Sequence, residues 1–143
     1  MKTWTMLSTI AVAALTVAAG SASAQIYKAE IPMAFRAGRI ALAPGAYNFE
    51  VRMSNAGHDV LMIRRGDSKV VATVLPTAGS DAPKAWRDNG NPIIAFECVD
   101  HDCTLRQLWG GQDVTALQFP APKLSPAAAE RASVITFALT KAD

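Results

Sequence analysis

Apolar and polar residues alternate with period two along most of the chain. Tyr47, Phe49, Val51 and Met53 fall on one face of a stretch whose other face holds Ala46, Asn48, Glu50 and Arg52. That pattern predicts a strand with one buried and one wet side. Pro44-Gly45 ahead of it is turn chemistry, with proline fixing φ and glycine free to take positive φ. Lys28 to Arg36 reads as another strand, with Ile31, Met33 and Phe35 on one face. Pro32 inside it cannot donate a ladder hydrogen bond, so an edge position or a bulge is expected. Val60 to Arg64 and Lys69 to Leu75 are short apolar runs joined through Arg65-Gly66-Asp67-Ser68, a hairpin signal. Pro92 to Cys98 and Cys103 to Trp109 form a second hairpin. Gly110-Gly111 then suits a tight turn, and Val114 to Phe119 returns as a strand. The last strand, Val134 to Thr140, puts Ile135, Phe137 and Leu139 on one face.

One helix is predicted, over Ser125 to Ala132, where Ser125 caps, Pro126 fits the first helical position and the alanines propagate. The stretch from Pro76 to Asn91 has little periodicity and reads as a long loop. Trp86 and Arg87 within it are a possible contact surface, the alternative being that Trp86 folds back to cap one end of the core. The whole predicts an all-β fold: an antiparallel sandwich or small closed barrel of about seven or eight short strands, with one short helix near the C-terminus. A single helix leaves no room for parallel βαβ units.

The N-terminus departs from this alternation. Lys2 precedes an apolar run from Met6 to Ala19, and Ala22-Ser23-Ala24 is a small-residue cleavage site. Those are the parts of an export signal, and the run is too short for a membrane span, which needs about 20 apolar residues. Residues 1–24 are therefore expected to be a signal peptide cleaved after Ala24, leaving residues 25–143 as one exported domain without a membrane span. No cysteine stands at the cleavage point, so a lipid anchor is not indicated. The net charge of the full chain is +2, and losing Lys2 lowers it to +1. Nucleic-acid binding needs clustered basic charge, which is absent here; Arg64-Arg65, the only basic doublet, falls at a predicted turn.

Cys98 and Cys103 are the only cysteines, and in an oxidising compartment a close pair is expected to be a disulfide. Across a hairpin with the four-residue turn Val99-Asp100-His101-Asp102 their Cα atoms would lie about 4.5 Å apart, within disulfide range. A competing reading assigns His58 and Asp59 with Asp100, His101 and Asp102 to a divalent metal. Successive residues of one tight turn rarely converge on a single ion, which favours the disulfide. Hydrolase chemistry needs a nucleophile, base and orienting group brought together, and no serine has Gly-x-Ser-x-Gly context. A transmembrane barrel would need strands of about 9–11 residues and aromatic girdles, longer than those predicted.

Ile31-Pro32-Met33-Ala34-Phe35, then Gly38, then Leu42-Ala43-Pro44-Gly45-Ala46-Tyr47 resembles the opening of a group of small exported bacterial β-proteins. Their pattern is IPFAF…G…LPAGxYxV after a signal peptide. Val74 to Thr77, Ile93 to Phe96 and Leu105 to Trp109 are similar to their later strands. Ala43-Pro44-Gly45 stands where Pro-Ala-Gly is usual, and the C-terminal helix is alanine-rich rather than charged. The resemblance implies an exported β-domain of unknown function, and no catalytic residue carries over. The expectation is a non-enzymatic domain of the periplasm or beyond, needing no cofactor. It would bind or scaffold an unknown protein or envelope component, with a metal-binding protein and a small hydrolase as alternatives.

Overall fold

The computed structural model describes residues 25–53, 57–66, 69–111 and 115–142. The expected signal peptide lies outside these residues, as do Asp67 and Ser68 of the first predicted hairpin turn and Gln112 to Val114. In chain order the elements are β1 (Gln25–Ile31), β2 (Phe35–Ala37), β3 (Ile40–Leu42), β4 (Gly45–Met53), β5 (Asp59–Arg65), β6 (Lys69–Val74) and β7 (Ala78–Ser80). There follow α1 (Lys84–Asn89), β8 (Ile93–Val99), β9 (Asp102–Trp109), β10 (Ala116–Gln118), α2 (Pro126–Arg131), β11 (Ala132–Ala138) and β12 (Thr140–Ala142).

They form two sheets. One has the order β12-β1-β4-β5-β6; the other has β11-β8-β9-β10-β7, with the β2–β3 hairpin attached to β9. Every pairing is antiparallel except the bridge of Arg36 to Thr104 between β2 and β9. Of the two predicted architectures, the sandwich is the one present. Tyr27, Tyr47, Phe49, Leu61 and Ile63 from the first sheet share one core with Phe35, Ile94, Phe96, Leu105 and Leu108 from the second. Phe35 ties the layers together, packing edge-on against Tyr47 at 5.3 Å and Phe96 at 5.1 Å between ring centroids. Each such buried side chain contributes roughly 1.5–3 kcal/mol.

Three expectations change. Lys28 to Arg36 is not one strand: the ladder of β1 with β4 ends at Ile31, the chain crosses at Pro32, and Phe35 opens β2 in the other sheet. Pro32 has no N–H to continue a ladder, so the strand stops there rather than bulging. Ile31 and Phe35 still both reach the core, because the crossing passes between the layers. The segment read as a loop from Pro76 to Asn91 contains β7 and the single helical turn α1, both too short to generate a periodic pattern. The described strands number twelve rather than seven or eight; the additions are three-residue pieces such as β3 and β12, below the length at which alternation is readable.

The hairpin β8–β9 is tighter than expected. Val99 pairs with Asp102, which leaves Asp100 and His101 as a two-residue turn, and Asp100 adopts φ 55°. Aspartate tolerates that left-handed conformation better than most residues. Cys98 and Cys103 stand opposite each other with Cα atoms 4.0 Å apart and sulfurs bonded at 2.05 Å. The helix α2 forms as read: the Ser125 hydroxyl accepts from the Ala128 amide at 3.1 Å.

Candidate functional site

The core narrows toward one end of the sandwich, where the sheets enclose a cleft of about 820 Å³. Period two brings its walls into place. In β4 the inward face carries Tyr47 and Phe49 in the core, then Val51 half-buried and Met53 exposed at the mouth. Tyr27 and Gln25 of β1 lie opposite Phe49 and Val51 in the ladder and share this wall. Leu108 at the end of β9 and Leu117 of β10 form the facing wall, with Pro76 to Gly79 along the side. The volume falls in the range of sites for small organic ligands, about 300–1,000 Å³.

The polar groups are few. The Tyr27 hydroxyl donates to Gln25 Oε1 at 3.1 Å. Burial pushes the Tyr27 phenol above its ordinary 10.0, so it remains a neutral donor. His58 and Asp59 line the mouth where the chain enters β5. β7 lies close against the residue that leads into β10: a Cβ at Gly79 would fall 2.8 Å from Thr115 Cγ2. The lining is chiefly apolar with a polar rim.

The metal-binding alternative requires five side chains that the fold separates. His58 and Asp59 belong to the cleft, at the end of the sandwich where β9 finishes. Asp100 and His101 form the turn before β9 and Asp102 is its first residue, so they lie at the other end of an eight-residue strand, about 26 Å away. Among the described residues no group of three histidine, cysteine, aspartate or glutamate side chains is placed to hold a metal ion. Asp100 instead faces Arg131 Nε at 3.4 Å, an exposed pair at the end of α2. The two histidines sit at opposite ends of the domain.

Trp86 folds back. Its ring packs on the fully buried Trp109, centroids 6.5 Å apart, in a second small core with Ala82 and Ala116. Arg87 beside it is exposed. The contact surface read at Trp86 and Arg87 is therefore half structural.

Two features have little sequence signature. The cleft combines strands distant in the chain; its one local trace is Met53, an apolar residue continuing an inward face beyond the core. The other is Glu50, on the outward face of β4 yet only 3% exposed. Its carboxylate accepts from Arg52 Nε at 2.6 Å and from Arg64 Nε at 3.2 Å. Burial pushes its pKa up, but the hydrogen bonds and charges of both guanidiniums together pull harder, leaving it below its ordinary 4.5.

Compared with known proteins, the chain matches no family model, no curated protein and no solved structure.

Proposed function

We propose that this chain is a non-enzymatic β-domain of the bacterial cell envelope that works by binding, with the inter-sheet cleft as its ligand site. The cleft carries this reading. It is concave and chiefly apolar, and the polar groups of Gln25, Tyr27, His58, Asp59, Thr77 and Thr115 are set around an opening between the two sheets. Residues 1–24 support export by their charge, apolar run and small-residue cleavage site. The Cys98–Cys103 bond fits an oxidising compartment. The resemblance to small exported β-proteins points the same way.

Titration with N-phenylnaphthylamine, a neutral apolar fluorophore, tests the site. One saturable site per chain is expected, and Met53→Glu together with Val51→Lys should weaken it at least tenfold, about 1.4 kcal/mol. Saturable binding that ignores both substitutions would count against the cleft. Export has its own check. Intact mass of chain recovered from the periplasm should correspond to a start at Gln25; material retained in the cytoplasm and starting at Met1 would overturn it.

A further inference from the structure

β11 leaves one edge of the second sheet open. Among the described strands it pairs only with β8, over all seven of its residues. Register settles which backbone groups that pairing uses. The Leu139 amide donates to the Pro92 carbonyl at 2.9 Å. At period two, Phe137, Ile135 and Ser133 therefore also turn their N–H and C=O groups toward β8. Ala132, Val134, Thr136 and Ala138 turn theirs away from it. Val134 is 64% exposed and Ile135 39%. From Ala132 to Thr140 the chain carries neither a charge nor a proline.

The other edges are guarded by the devices that normally prevent strand addition. β6 begins at Lys69, is broken in register against β5 between Ile63 and Arg64, and is followed by Pro76. β7, β3 and β12 have three residues each, and β12 contains Lys141. β11 alone combines length, neutrality and exposed apolar side chains.

We propose that β11 pairs antiparallel with β11 of a second copy, about a two-fold axis at Ile135, to join two sheets into one. In that register Val134 opposes Thr136 of the second copy and Ala132 opposes Ala138, as hydrogen-bonded pairs using the outward groups. Ile135 meets Ile135 of the second copy as a close non-hydrogen-bonded pair, covering the apolar surface each leaves exposed. Self-pairing suits this strand: Ala132 to Thr140 is uncharged, so no like charges are brought opposite, and the exposed Ile135 side chains cover each other. Arg131, the charge just before the strand, is already held by Asp100. Two seven-residue strands meet along a single narrow seam about 23 Å long, so the dimer is weak, dissociating in the range of about 10–100 μM. The pairing is independent of the cleft.

Sedimentation velocity of the full chain, from about 2 μM to 500 μM, reads this directly. A monomer–dimer equilibrium is expected. Val134→Pro removes an N–H that β8 does not use, and should raise the dissociation constant at least tenfold while the circular dichroism stays native. If that variant misfolds, Val134→Lys, at a mostly exposed position, should do the same. Ile135→Cys should yield a disulfide-linked dimer on mild oxidation that Ser133→Cys does not, because Ser133 would face Phe137. A chain monomeric at the highest concentration, a dimer untouched by Val134→Pro and Val134→Lys, or an edge that takes only a foreign β-peptide would each overturn the proposal.

Discussion

Glu50 is a charged side chain held out of water by its own partners. Arg52 lies two residues along β4 and Arg64 reaches across from β5, so one carboxylate bridges neighbouring strands. With its pKa held below 4.5 in the fold, Glu50 binds fewer protons folded than unfolded near that pH. Its stabilising contribution is thus present above pH 4.5 and is lost as pH falls through the lower folded value. Glu50→Gln should cost about 1–2 kcal/mol at neutral pH and should flatten the acid limb of a denaturation curve. An acid limb identical in the two proteins would show that the cluster is not coupled to protons. At Cys98 and Cys103 the effect is on the unfolded chain. Replacing both with serine should remove about 2 kcal/mol by the chain-entropy estimate and lower Tm by roughly 6–12 °C. Calorimetry with no drop in Tm would mean the bond only fixes register.

The elements that were readable in advance are those long enough to show a period. β4, β5, β6, β8 and β9 appear within a residue or two of their predicted limits, because each places several inward side chains in the core. The segment after Val74 was unreadable because its contacts are non-local. α1 buries no residue fully, and what docks it is one ring, Trp86, against Trp109 from β9. Trp109→Ala should cost about 3–5 kcal/mol, since it empties a fully buried site. Trp86→Ala should cost less and act locally, raising amide exchange over Lys84 to Asn89 while the two sheets stay protected. Exchange that rises equally in β8 and β9 would place Trp86 in the main core instead. Glu50 was unreadable for a related reason: alternation assigns it to solvent, and only the neighbouring strand supplies Arg64.

At the scale of the whole molecule, two sheets close over a continuous core and part at one end. The same inward face of β4 serves both regions, with Tyr47 and Phe49 sealing the core while Val51 and Met53 wall the cleft. Strands carry much of the site and the connections at Gly57-His58, Pro76-Thr77, Gly110 and Thr115 the rest, with the ladders of β1 with β4 and β9 with β10 setting its walls. A binding role predicts a rigid, preformed cavity. The most direct test is a two-dimensional NMR titration of the labelled chain with N-phenylnaphthylamine. Shift changes should concentrate at Tyr27, Val51, Leu108 and Leu117 and saturate together. Changes that scatter over the surface, or gather at the Asp100-His101 turn with those four residues unmoved, would contradict the assignment of the cleft as the place where this domain binds.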